Sequence, residues 1–165
     1  MPARGRIPTY CSTRCRVAAH RARDRETIPA EMRQLDRWTR RDGKRPITTT
    51  GAPASSTDPE SWSTFAKVKR STVGNGLGVM LGGGLACYDF DHCLADGRLV
   101  GAEAAEVLRR LSSFYIEVSM SGDGLHAFVR APERPGTKRP GVEFYSRARF
   151  IAVTGRRWEA RCEPV

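Results

Sequence analysis

From residue 76 onward the sequence is written in short apolar segments, each closed by glycine or by a polar turn, and such a pattern admits little besides an antiparallel sheet. Residues 76–81 and 84–91 read as two strands joined by the Gly82-Gly83-Gly84 turn. Residues 114–119 and 125–130 read as a hairpin around Ser121-Gly122-Asp123-Gly124, and residues 142–145 and 149–153 as two further strands. Between them, residues 101–112 place Ala104, Ala105, Leu108 and Leu111 at helical spacing, which predicts an amphipathic helix. Upstream, residues 28–41 predict a short helix with Pro29 in its first turn, passing into a strand near Trp38. Residues 43–57 and 131–140 carry the Pro, Gly and polar content of loops. A helix over 59–69 can be capped by Thr57 or Asp58, with Trp62, Phe65 and Ala66 as its apolar stripe. The expected class is α+β, a mainly antiparallel sheet with helices on one face.

Length and charge set the organisation. A chain of 165 residues holds one domain and a short arm, placed here at residues 27–165 and 1–26. Of a net charge of +10, most lies at the front: residues 1–45 contain 13 Lys+Arg and 5 Asp+Glu, and the remainder 15 and 13. A basic arm attracts phosphate backbones by counterion release without reading sequence. It lacks the Trp, Phe and Leu of a membrane-surface helix. No segment approaches the ~18 apolar residues of a membrane span, and the arm has no apolar core of a secretory signal, so the expected location is the cytoplasm. Five cysteines (Cys11, Cys15, Cys87, Cys93 and Cys162) are an odd set without a signal, which argues for reduced thiols rather than a disulfide framework.

Three motifs carry chemistry. In Tyr88-Asp89-Phe90-Asp91, strand alternation points both aspartates to one face and both aromatic rings to the other. Adjacent carboxylates repel unless a cation lies between them, and oxygen ligands of this kind suit Mg²⁺ or Mn²⁺. In Ser119-Met120-Ser121-Gly122-Asp123-Gly124-Leu125-His126, glycines allow a tight turn whose N–H groups approach an anion. His126 opens the returning strand, where imidazole can donate to phosphate or transfer a proton. In Gly141-Val142-Glu143-Phe144-Tyr145, Glu143 shares its face with Tyr145 and can join the aspartates as a third acid. Taken singly, each motif also fits a bland reading: solvated strand-end aspartates, an ordinary hairpin histidine, a surface glutamate. Arg147 and Arg149 can hold phosphates or be solvated.

The ordered set of a hydrophobic D-x-D, S-G-x-G-x-H, and E-F-Y-S followed by F-I-A-V-T-G resembles the N-terminal primase-polymerase domain of phage and plasmid replication proteins, in the archaeo-eukaryotic primase superfamily. Lys44-Arg45-Pro46, Thr50-Gly51, residues 54–59 and Trp62 extend the resemblance, which runs from about residue 28 to 155. It implies a palm-like sheet related to the RNA-recognition fold beside a smaller α/β unit. It implies that Asp89, Asp91 and Glu143 hold metal, that His126 meets the nucleotide, and that Ser119 or Ser121 lies near the triphosphate. Lys44 is placed near template or nucleotide, and Tyr145 at a position to sense the sugar 2′ group. The implied reaction is nucleotidyl transfer to a 3′-hydroxyl on a single-stranded DNA template, using nucleoside triphosphates and Mg²⁺ or Mn²⁺.

Many relatives carry a helicase domain after this unit, so a separate replicative helicase is an expected partner, and priming as opposed to extension stays open. Cys11 and Cys15 with His20 resemble the second half of a treble-clef zinc finger, but the earlier cysteine pair is missing. The favoured reading is a truncated finger without structural Zn²⁺, leaving a DNA-contacting arm through Arg14, Arg16, Arg21 and Arg23. Residue chemistry alone also allows a metal-dependent nuclease or an inactive DNA-binding adaptor.

Overall fold

The computed structural model describes residues 27–159. Its strands fall into two main sheets, antiparallel throughout. Helix α1 (Ala30–Arg33) leads into β1 (Trp38–Asp42), β2 (Arg45–Ile47), helix α2 (Phe65–Arg70) and β3 (Gly76–Met80). Then come β4 (Leu85–Phe90), the small pair β5 (Leu94–Ala95) and β6 (Arg98–Leu99), and helix α3 (Ala102–Arg110). The chain continues through β7 (Ser113–Val118), β8 (Leu125–Arg130), β9 (Thr137–Arg139), β10 (Val142–Tyr145) and β11 (Phe150–Val153). The five-stranded sheet has the order β7-β8-β4-β10-β9, and the four-stranded sheet β11-β3-β1-β2.

The larger sheet is a palm of the expected kind. β4 and β7 are parallel strands joined through α3, and β8 is inserted between them, which makes a split βαβ unit. One face of that sheet packs α3 and the β5–β6 pair through Phe90, Leu94, Ala104, Leu125, Ala127 and Val142. The other face is covered by the four-stranded sheet. Leu85, Cys87, Tyr115 and Phe128 of the first share one buried cluster with Trp38, Val79, Ile151 and Val153 of the second. Met32, Phe65 and Val68 bring α1 and α2 into the same cluster, which makes the four-stranded sheet the smaller α/β unit. Trp38 is its anchor, fully buried, with its indole N–H donating to Met32 O at 2.9 Å and Phe65 edge-on at 4.9 Å.

Several expectations are corrected. The first helix is one turn, because Trp38 already pairs as a strand opposite Val79. The helix expected over 59–69 is split into a 3-10 turn at Pro59–Ser61 and α2. Ser63 is drawn out between them, exchanging backbone hydrogen bonds with Trp38 at 2.8 and 3.0 Å, and Thr64 then caps α2. Trp62 consequently leaves the apolar stripe. Its indole donates to Ser55 O at 2.7 Å and Arg37 lies over its ring. As expected, the Gly82-Gly83-Gly84 turn joins the two strands, with Gly82 and Leu85 exchanging backbone hydrogen bonds at 3.0 and 3.2 Å, but the strands do not pair with each other. β3 and β4 belong to different sheets, and the glycines, all at positive φ, hand the chain from one to the other. Two strands emerge from segments read as loops. β2 contains Pro46 and β9 carries Lys138 and Arg139, and both are edge strands, where proline and exposed charge are tolerated. Among the described residues no helix is long and apolar enough to cross a membrane.

Candidate active site

Five side chains form one transverse row across the palm. The strand registers pair Glu117 with His126, His126 with Asp89, Asp89 with Glu143, and Glu143 with Lys138. Directly opposed residues of an antiparallel ladder share a face. By alternation from Cys87, this is the face turned toward the four-stranded sheet. Acidic and basic side chains alternate at the centre of the row and at its β9 end. His126 Nδ1 is 3.2 Å from Glu117 Oε1 and its Nε2 is 3.6 Å from Asp89 Oδ1. Lys138 Nζ is 2.8 Å from Glu143 Oε1, and the Tyr145 hydroxyl donates to Glu143 Oε2 at 2.5 Å. Arg149 lies over the Tyr145 ring at 4.3 Å.

The row opens into a cleft of about 480 Å³ at the seam of the two sheets. Asp89, Asp91 and His126 line it from the palm, with Ser119, Met120 and Ser121 from the β7–β8 turn. The opposite wall comes from Lys44, Pro46 and Ser56, and from Ala148 to Ala152 with Arg149 among them. Lys44 is exposed at the tip of a two-residue turn between β1 and β2, where Gly43 takes a positive φ. The expected residues Asp89, Asp91, His126, Ser119, Ser121 and Lys44 therefore meet in one cleft. Glu143 stands beside Asp89 but does not line it. Cys87 shares the face of the aspartates yet is buried in the intersheet core. Cys11, Cys15, His20 and the arm arginines Arg14, Arg16, Arg21 and Arg23 lie outside the described residues.

The turn before His126 is tightly braced. Ser119 N–H donates to Gly124 O at 2.9 Å, and the Ser119 and Ser121 hydroxyls are 2.9 Å apart. Ser121 in turn donates to Asp123, whose carboxylate sits 2.6 Å from His92 Nδ1. These two contacts hold the Asp123 carboxyl below its ordinary value. Gly124 is required by space: a Cβ there would stand 2.4 Å from Phe90 O. Gly124→Ala is expected to cost about 1–3 kcal/mol, because the obstacle is backbone and the strand carrying His126 must shift. Urea unfolding of the variant checks this.

Electrostatics mark Asp89 as the strained acid. Burial raises its carboxyl above the ordinary value. His126 opposes that rise, and the neighbouring charges of Asp91 and Glu143 reinforce it. Glu143 is moved the other way, held below its ordinary value by Lys138 and then Tyr145. For an acid whose pKa is raised by folding, the stabilising contribution is complete below the unfolded value of about 3.9 and is lost as pH rises through the higher native value. Ionised Asp89 therefore opposes folding at neutral pH. Asp89→Asn is expected to raise the melting temperature of the cation-free protein at pH 7, with the gain shrinking as pH is lowered toward 4. Thermal unfolding in chelator across that range tests it, and an unchanged or lower melting temperature at pH 7 contradicts it.

The residue missed from sequence is Glu117. It is fully buried and accepts from the Tyr115 hydroxyl at 3.1 Å, from Thr154 N–H at 3.0 and 3.1 Å, and from Gly155 N–H at 2.9 Å, besides facing His126. Counting back from the Ser119–Gly124 turn closure places it opposite His126, so a signal was present in the hairpin register.

Comparison with known proteins bears on what this constellation is. The family described as "Bifunctional DNA primase/polymerase, N-terminal" matches residues 11–161. The chain belongs to this primase-polymerase family. It is also similar to a protein of Nitratiruptor phage NrS-1 described as "DNA Primase-polymerase", with 33% identity over 123 residues. That match covers 67% of this chain and 17% of the phage protein, so the chain spans a small part of that relative's length.

Proposed function

We propose that the cleft binds a nucleoside triphosphate with Mg²⁺ or Mn²⁺ and joins it to the 3′-hydroxyl of a strand growing on single-stranded DNA. The observation that carries this reading is the row: it sets a histidine between buried and half-buried acids at the edge of a cleft that also presents a glycine turn, Lys44 and Arg149. The cleft's size falls within the range of small-molecule sites.

The donor set suits a hard divalent cation. Asp89, Asp91 and Glu143 offer only carboxylate oxygens, and the crowding of their charge around Asp89 is relieved by added positive charge. Among the described residues no three His, Cys, Asp or Glu side chains are grouped so as to hold a metal ion together. Mg²⁺ is commonly held by one or two carboxylates together with substrate phosphates. Asp89 and Asp91 would hold the cation from within the cleft, and Glu143 would do so on leaving Lys138. Bound there, it would lower the pKa of the attacking hydroxyl and neutralise charge on the phosphates.

The remaining roles belong to the chain itself. His126 Nε2 faces the cleft and can hold or give a proton at a phosphate oxygen. The Ser119–Ser121 turn offers hydroxyls and backbone N–H groups to the triphosphate. Lys44 and Arg149, on the facing wall, supply positive charge to phosphate or template. Labelled nucleotides, single-stranded DNA and either cation test the reading directly. Extended or dinucleotide products support it, whereas shortened DNA would assign the acids to a nuclease. Supplying ribonucleotides and deoxyribonucleotides separately shows which sugar the site accepts. In a parallel thermal-shift measurement, Mn²⁺ is expected to stabilise the wild-type chain and to leave Asp89→Asn unmoved. Equal stabilisation of both would place the cation elsewhere.

A further inference from the structure

We infer that Glu117 is a positioning residue that holds the hydrogen of His126 on Nδ1 and fixes the ring so that Nε2 is the nitrogen presented to the cleft. This rests on the reading of His126 as a group that meets substrate, and it adds a second carboxylate behind the histidine.

A buried carboxylate only accepts hydrogen bonds. Glu117 accordingly accepts from one hydroxyl, of Tyr115, and from two backbone N–H groups, of Thr154 and Gly155. His126 Nδ1 is the remaining neighbour, 3.2 Å from Oε1, and it completes the set by carrying a hydrogen. In a neutral imidazole the proton is then absent from Nε2. Nε2 points toward Asp89 and the cleft, so that nitrogen is the one presented to a bound substrate. The same carboxylate-behind-imidazole arrangement fixes tautomer and ring orientation in other histidine sites.

The geometry also dictates what an isosteric amide would do. Tyr115 and Gly155 both donate to Oε2 of Glu117. In Glu117→Gln the amide oxygen takes that position, because an NH₂ group there would face three donors, with Thr154 N–H among them, whereas at the Oε1 position it meets only Thr154 N–H, which keeps its bond to the amide oxygen. The NH₂ group then occupies the Oε1 position and donates to His126 Nδ1, which reverses the tautomer. A carboxylate that merely tied the Thr154–Gly155 segment to β7 would leave the tautomer unaffected.

The test is ¹⁵N–¹H correlation spectroscopy on the full chain labelled at histidine, with the His126 resonances assigned by their loss in His126→Gln. It needs neither nucleotide nor cation. The wild type is expected to show the neutral ring protonated at Nδ1, Glu117→Gln to show it protonated at Nε2, and Glu117→Asp to keep the wild-type form. A wild-type ring protonated at Nε2 overturns the inference even if the glutamine variant does not fold, and so does an unchanged tautomer in a folded Glu117→Gln. Nucleotide incorporation by Glu117→Gln is expected to fall roughly 10–100-fold. A reversed tautomer with full incorporation supports the positioning role and removes His126 from the proposed reaction, which separates the failure of one reading from the other.

Discussion

Exchanging Asp89 and Asp91 together for alanine is expected to lower nucleotide incorporation at least about a thousandfold, equal to about 4 kcal/mol of transition-state stabilisation. Both side chains line the cleft, and with Glu143 they are the carboxylates proposed to hold the cation. The raised carboxyl of Asp89 favours a folded double variant, so the loss is expected in a protein that keeps its fold. Primer extension beside circular dichroism of the same preparation checks both halves. Incorporation that survives the exchange would dismiss these acids as the metal site.

A comparable effect, on stability instead of rate, is expected at the other end of the row. Glu117→Ala removes the acceptor of the Tyr115 hydroxyl, of two backbone N–H groups and of His126, all in a region closed to solvent. Each buried donor left unpaired costs about 1–3 kcal/mol. Because these contributions overlap, the expected loss is about 3–5 kcal/mol, a large part of the ~5–15 kcal/mol that holds a domain together. Urea denaturation measures it. A loss below about 1 kcal/mol would mean that water reaches these donors and that Glu117 is not the clamp between β7 and the segment after β11.

The candidate site was largely legible because its chemistry follows strand parity. Alternation alone put Asp89 and Asp91 on one face, and it put Glu143 and Tyr145 together. The alignment of Glu117, His126, Asp89, Glu143 and Lys138 was less accessible. It depends on four strand registers, two of them between segments distant in sequence, and no local pattern encodes those. Glu117 was overlooked because a lone acid in an apolar strand reads as solvent-facing, and its partners Thr154 and Gly155 come from the far end of the domain. The edge strands β2 and β9 were hidden by the residues that protect edges from unwanted pairing, Pro46 in one and Lys138 and Arg139 in the other. The point at which the chain passes from the smaller unit to the palm was hidden for a related reason. A triglycine between two apolar segments looks like a hairpin turn, and only the pairing of β3 with β1 and β11 shows that the chain changes sheets there.

That change of sheet has a consequence for how the protein is made. β3 is flanked on one side by β1 and on the other by β11, whose residues 150–153 follow every strand of the palm. The smaller unit therefore cannot complete itself during synthesis and wait for the larger one. It keeps an open edge until the last strand arrives. The two sheets are spatially separate layers but kinetically one unit. Loop closure over some seventy residues between β3 and β11 must precede the final docking, and contacts of such long sequence separation slow folding.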